Sequence, residues 1–240
     1  MISNVRSSNV IQSKAQVELL RRISLFEHLD DIALLGLARR MTVKRWHESA
    51  MIVAQGEPGT ALHILFRGRA RRVLFGDNGR EMTLATLVPG DFFGETAILD
   101  GDPAPANVVA AEDCVIFMLD RAVLLDALAA RPAMMMSLLS VMASQLRRSS
   151  ALVGDLALHD VVSRLTRALI AIGEAHGEYR EDGVMIRYRP TQQELANRVG
   201  TCRETVSRAL SSMARRGLIV SQGRSLLLRN ELLDRVRKAA

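Results

Sequence analysis

The chain has 240 residues, 48% of them hydrophobic and 24% charged, with a formal net charge of +6; this balance excludes wholesale disorder. That length suggests one or two domains with a core that needs no disulfide or metal staples. Two cysteines, Cys114 and Cys202, exclude a disulfide framework or a four-cysteine metal site within one chain, and no apolar run of about 18 residues is present to form a transmembrane helix.

Met1 to Ser13 is polar and lacks the apolar stretch of a secretory signal, so the expected setting is a reducing, cytoplasmic one without membrane attachment. Residues 15–40 read as helical. Val17, Leu20 and Leu25 precede a turn at His28-Leu29-Asp30-Asp31, and Asp30 or Asp31 is suited to cap a helix from Ile32 to Arg40. From Met41 to Leu119 short apolar runs alternate with turns: Met51–Val53, Leu62–Phe66, Arg72–Phe75 and Met82–Leu87. Half of the 16 glycines fall between Gly56 and Gly101, and Gly76-Asp77-Asn78-Gly79 is a hairpin signal because such a loop needs residues tolerant of positive φ. Strands spaced this closely predict a small antiparallel barrel or roll.

From Arg121 the pattern turns helical. Ala122 to Ala130 forms a short helix that Arg131-Pro132 breaks. Ala133 to His159 then runs without proline, with Met135, Leu138, Met142, Gln145, Ser149, Leu152 and Leu156 recurring at spacings of three and four. This heptad-like seam is read as a dimerisation helix; the alternative is an amphipathic helix packed on its own domain. Met134, Met135, Met136 and Met142 cluster near it, as core or as the lining of an apolar pocket. Asp160 is suited to cap Val161 to Ala175, with Leu165, Leu169 and Ile172 on one face, and Glu178 to Tyr188 reads as loop and short strand.

Charge is unevenly placed. From Arg187 to the end there are 12 Lys/Arg against 4 Asp/Glu, a net of +8; the remaining 186 residues carry 20 against 22, a net of −2. A basic segment interleaved with apolar residues predicts a folded polyanion-binding module. Within it, Thr191 and Glu194 form a capping-box pattern ahead of Leu195, Ala196 and Val199. Gly200-Thr201-Cys202 follows as a turn, and Arg203 to Arg215 as a second helix with Val206, Leu210 and Met213 inward. Arg203, Glu204, Ser207 and Arg208 then point away from the apolar stripe, at the end of a recognition helix that reaches base edges. Arginine can fork onto guanine O6 and N7, and glutamate can accept from cytosine N4. Leu218–Val220, Gly223 and Leu226–Leu228 predict a β-hairpin wing, with Arg224 near its tip placed for phosphate.

These features together resemble the Crp/Fnr (cyclic-AMP receptor protein / fumarate-nitrate reductase regulator) family of bacterial transcription regulators. The resemblance rests on the glycine-punctuated roll, Pro89-Gly90-Asp91-Phe92-Phe93-Gly94-Glu95, the long helix after Pro132, and Gly200-Thr201-Cys202-Arg203-Glu204-Thr205-Val206-Ser207-Arg208. It implies an α+β chain: an N-terminal antiparallel β-roll (a cyclic-nucleotide-binding-like jelly roll, 1–131), a dimerisation helix (132–159) and a C-terminal winged helix-turn-helix (160–240). It implies a homodimer on double-stranded DNA, reading a two-fold TGTGA- or TTGA-like half-site and working with RNA polymerase. Thr191, Gln192 and Thr201 join Arg203, Glu204, Ser207, Arg208 and Arg224 as DNA-contacting candidates. The expected role is activation, although nothing in the residues separates it from repression.

The family's effector pocket maps onto Gly94, Glu95, Thr96, Ala104, Pro105, Ser149 and Ser150. Glu95 matches the ribose-binding glutamate, and Ser149 and Ser150 align with residues that contact adenine across the dimer. The phosphate-binding arginine is replaced by Ala104, and Pro105 removes a backbone donor, so a cyclic nucleotide is a doubtful effector, a doubt that Asp100 and Asp102 deepen. An iron–sulfur cluster is not expected from two separated cysteines. Of the histidines, His28, His47, His63, His159 and His176 all read as surface or turn residues, and Cys114 as core. Cys202, at a helix N-terminus that lowers a thiol pKa, could carry redox control. No Gly-x-Ser-x-Gly, His-Glu-x-x-His or P-loop is present, so an enzyme is not expected. The competing readings are a regulatory module that acts on a protein partner and an effector-independent DNA binder.

Overall fold

The structure, a computed structural model, describes residues 16–77 and 79–237; the polar stretch 1–13 and Asn78 of the hairpin signal lie outside them. The described residues divide into two compact units, one of residues 16–74 with Leu84–Arg147, the other of Phe75–Thr83 with residues 148–237.

In the first unit the helical reading of 15–40 resolves into helical residues 16–21 (α1), a single 3-10 turn Ser24–Phe26 and α2 (Asp31–Ala38). Asp30 caps α2, its Oδ1 accepting from the Ala33 N–H at 2.7 Å. Eight strands follow: β1 (Thr42–Trp46), β2 (Met51–Val53), β3 (Ala61–Arg67), β4 (Ala70–Phe75), β5 (Glu81–Leu87), β6 (Phe92–Phe93), β7 (Asn107–Ala110) and β8 (Cys114–Asp120). They form two four-stranded sheets, ordered β1-β8-β3-β6 and β2-β7-β4-β5, with antiparallel pairing throughout the registered pairs. The short helix α3 (Glu95–Leu99) sits between β6 and β7.

Strand alternation explains the core. β3 is buried from Ala61 to Leu65, because it is central and covered on both faces. Leu62 and Ile64 point one way, with Phe92, Phe117 and Leu119, into a cluster covered by Leu20, Phe26, Leu34, Leu124 and Met134 from the helices. Leu65, Phe93, Cys114 and Ile116 point the other way, into the interior of the roll. His63 shares that second parity. It is buried and stacked on Phe93 with ring centroids 5.0 Å apart, so the expectation of a surface or turn histidine is wrong at this position.

α4 (Arg121–Ala130) and α5 (Pro132–Leu158) meet at 114°, with Arg131 extended at φ −141°, as the residue before a proline prefers. Among the described residues no single helix is long and apolar enough to cross a membrane. The seam expected along α5 divides into two faces. Met134 and Leu138 are buried and Val141 partly so, against the first unit's own core. Leu139, Leu146 and Val153, one heptad apart, are an exposed apolar row at 54%, 69% and 64% exposure, and Met135 and Leu156 of the expected seam are exposed on the same face. Leu138 and Gln145, counted as seam residues, therefore belong to the roll-facing side. The methionines separate likewise: Met134 is core, Met135 and Met136 are exposed, and Met142 is half-buried.

The second unit opens with α6 (Val161–His176), capped by Asp160 Oδ1 accepting from the Ser163 N–H at 2.7 Å. Leu165, Leu169 and Ile172 are buried as expected. The stretch read as loop and short strand holds two strands, β9 (Glu178–Arg180) and β10 (Gly183–Ile186). They complete an antiparallel sheet, β11-β12-β10-β9, with β11 (Ile219–Gln222) and β12 (Ser225–Arg229). Gly173 lets α6 lie close on it: a Cβ there would come within 3.2 Å of Leu228 and 3.3 Å of Val184. α7 (Gln192–Val199), α8 (Arg203–Arg215) and α9 (Asn230–Arg237) complete the unit.

Candidate nucleic-acid interface

α7 and α8 form the helix-turn-helix. Thr191 and Glu194 make a full capping box: Thr191 Oγ1 accepts from the Glu194 N–H, and Glu194 Oε2 accepts from the Thr191 N–H at 2.7 Å. Gly200 closes α7 at φ +69°, a left-handed conformation that glycine adopts without steric cost. Leu195, Ala196 and Val199 on α7 pack in one cluster with Val206, Ala209 and Met213 on α8, and Leu210 is partly buried against it. Fully buried Ala196 is the small residue at this close crossing.

That packing fixes which side of α8 faces out. Arg203, Glu204 and Arg208 are exposed in its first two turns, with Ser207 half-buried beside them. Arg208 Nη2 donates to Thr205 Oγ1 at 3.2 Å, which holds the guanidinium along the helix. The Glu204 carboxyl lies below its usual pKa, chiefly through its own backbone N–H at the helix N-terminus, then through the Cys202 thiol and the charges of Arg203 and Arg208. It is therefore an acceptor at neutral pH. Cys202 is the N-cap residue, its Sγ 3.1 Å from Thr205 Oγ1, and the hydrogen bonds with Thr205 draw its thiol pKa down. Thr191 is exposed and Gln192 and Thr201 half-buried around the same helix ends.

The wing is the β11–β12 hairpin, turning at Gly223 (φ +57°) and exposed Arg224. Sequence reasoning did not single out the loop beside it. The Arg189 N–H donates to the Arg224 carbonyl at 3.0 Å and Arg189 Nη1 to Ser221 Oγ at 3.1 Å, so a second exposed arginine stands at the wing. Its only signal in the sequence was the local run Arg187-Tyr188-Arg189.

The roll's candidate pocket is partly brought together. Gly94 (φ +90°) precedes α3, and Glu95 is 1% exposed. Glu95 Oε1 accepts from Gln145 Nε2 at 3.0 Å and lies 3.7 Å from Arg72 Nη2, while Oε2 is buried without a hydrogen bond. Neither Arg72 nor Gln145 was among the residues expected here. Thr96 is half-buried, Pro105 exposed, and Ser149 and Ser150 exposed on α5. Ala104 is buried and its backbone is already bonded: its N–H donates to the Glu57 carbonyl and its own carbonyl accepts from Gly56. A cyclic phosphate thus finds neither a cation at Ala104 nor a free N–H there or at Pro105, so these residues do not fit the group. Asp100 and Asp102 are exposed, with Asp100 Oδ1 accepting from the Asp102 N–H. Among the described residues no group of three or more His, Cys, Asp or Glu is arranged to hold a metal ion.

Comparison with known proteins matches this architecture. The family model for the cyclic nucleotide-binding domain matches residues 43–131, and that for the Crp-like helix-turn-helix domain matches residues 163–235. The CRP-like cAMP-activated global transcriptional regulator of Mycobacterium tuberculosis is 31% identical over 88% of this chain and 94% of its own. The cAMP-activated global transcriptional regulator Vfr of Pseudomonas aeruginosa is 30% identical over 84% and 94%. Among solved structures, the CRP-family transcriptional regulator TTHB099 of Thermus thermophilus superposes with a TM-score of 0.62 at 26% identity, covering 82% of this chain and 96% of that one. With the roll, the long helix and the winged helix-turn-helix in place, the chain belongs to the Crp/Fnr family of transcription regulators.

Proposed function

We propose that this regulator acts as a homodimer that reads a two-fold TGTGA- or TTGA-like site in double-stranded DNA, under the control of its roll. The observation that carries the reading is the exposed set Arg203, Glu204 and Arg208, held at the start of α8 by the buried Val206, Ala209 and Met213 behind it. Two basic forks and an ionised acceptor in two turns suit guanine and cytosine edges in a major groove. Thr191, Gln192, Thr201, Ser207 and Arg224 contribute backbone and flanking contacts. The exposed stripe Leu139, Leu146 and Val153 supports dimerisation along α5, with residues 1–131 as the roll, 132–159 as the dimer helix and 160–240 as the reader. The dimer works in the cytoplasm with RNA polymerase. Its relatives by name are cAMP-activated, but Ala104 and Pro105 argue against that effector here.

The test is fluorescence anisotropy with a duplex carrying the inverted repeat and a scrambled duplex of the same composition. The wild-type protein should prefer the repeat. Arg208→Ala should lose about 1–3 kcal/mol of that preference while still binding both duplexes. An unchanged preference in the variant removes Arg208 from base reading. No binding to either duplex at low salt favours a module that acts on a protein partner.

A further inference from the structure

The cyclic phosphate does not fit, yet Glu95 is buried and partnered. Its partners come from the same chain and from two other elements. Gln145 on α5 donates through Nε2 to Glu95 Oε1 at 3.0 Å. Arg72 on β4 donates through Nη1 to Gln145 Oε1 at 3.4 Å and places Nη2 3.7 Å from Glu95 Oε1. Three side chains from β4, α3 and α5 thus close a ring of contacts, and the Gln145 amide uses both its ends. A buried carboxylate without donors is strongly disfavoured, so any displacement of α5 that withdraws Gln145 costs the free energy of an under-satisfied charge.

We infer that Arg72, Glu95 and Gln145 are a built-in latch, which fixes α5 to the roll without an effector. The Gln145 amide takes Glu95 Oε1, with the Arg72 guanidinium charge beside it, while Oε2 stays buried without a hydrogen bond. The second observation is independent: the Ala104 N–H is committed to the Glu57 carbonyl and Pro105 offers none, so neither position presents a donor to a phosphate. α5 also carries the exposed stripe Leu139, Leu146 and Val153, so a helix held in one position presents one dimer face. The consequence for DNA binding rests on the proposed function: the regulator takes its binding-competent form without nucleotide. A ligand with no differential affinity for the latched form shifts nothing, however much is added.

The test uses the full chain without nucleotide. Hydrogen–deuterium exchange is followed in the α5 segment around Gln145, and anisotropy is read with the inverted-repeat duplex. Gln145→Leu removes both amide bonds. It should raise α5 exchange by about tenfold, the change expected for losing a hydrogen bond to a charged group, with the β3 and β8 segments unchanged. Duplex affinity should fall with it, and cyclic AMP should alter neither reading in the wild type. If Gln145→Leu does not fold, Arg72→Leu, which removes the donor to Gln145 Oε1 and the positive charge beside Glu95, decides by the same readings. Unchanged α5 exchange in the folded variant overturns the latch. So does a wild-type protein that protects α5 or binds the duplex only when cyclic AMP is added. If the wild type binds no duplex under any condition, the DNA reading fails, while the exchange measurement still decides the latch.

Discussion

At the scale of single residues, His63 couples the roll to pH. Its ring is buried and stacked on Phe93, and Nδ1 has no hydrogen bond. Burial disfavours the charged form and, with the nearby Lys44 charge, lowers its pKa from the ordinary 6.5 to about 4. Between those values the unfolded chain binds a proton that the folded chain refuses. Stability from this group is therefore fully present above pH 6.5 and is lost as pH falls to about 4, at most about 3 kcal/mol. His63→Phe keeps a ring for stacking and cannot titrate. Its urea midpoint should vary less between pH 6.5 and 4 than the wild type's; an equal fall in both proteins would remove His63 as the source. The depressed carboxyls of Asp160, Glu178 and Glu204 lose their contributions at lower pH, since they start below the usual carboxylate range. This histidine was not legible in the sequence because a strand buried on both faces carries no polar alternation to mark it. Glu204 and Arg208 were legible, because the apolar residues Val206, Leu210 and Met213 leave them only one direction to point.

At the scale of elements, local signals read well and shared ones poorly. Asp30, Asp160 and Thr191 start helices through side-chain oxygens that accept nearby N–H groups, and Gly200 ends one through its left-handed backbone, so their places were written locally. On α5 two apolar rows overlap, and the sequence does not say which row the roll will claim. The roll takes Met134, Leu138, Val141 and Gln145, which are spaced four, three and four apart along one face. The row left over is Leu139, Leu146 and Val153, and it is this row that a second copy would cover. Leu146→Glu places a charge in the middle of that row without touching the roll-facing side. In sedimentation velocity the variant should shift from dimer to monomer while its circular dichroism stays that of the folded chain. A variant still dimeric at micromolar concentration would move the dimer interface off this stripe. Arg72 belongs with what was hidden: nothing near it in sequence indicates that β4 would bring it to Glu95, fully 23 positions away.

For the molecule as a whole, charge divides as the functions do. The last 54 residues carry +8 and the rest −2, so the electrostatic attraction to a polyanion resides in the winged helix-turn-helix. Phosphate contacts supply affinity to any duplex and release counterions, whereas base contacts supply the difference between duplexes. Binding to the inverted repeat and to a scrambled duplex should therefore weaken steeply and nearly in parallel as salt rises. Arg224 separates the two contributions, because it is exposed at the turn of the β11–β12 wing and not on α8. Arg224→Ala should lower the slope of log affinity against log salt by about two units in a dimer, one for each copy, on both duplexes. The preference for the repeat should stay as it was, in contrast to Arg208→Ala. A slope that does not change in Arg224→Ala would mean that the wing stands clear of the phosphates. Neighbouring Arg189, braced by Ser221 and by the Arg224 carbonyl, would then be the arginine to replace next.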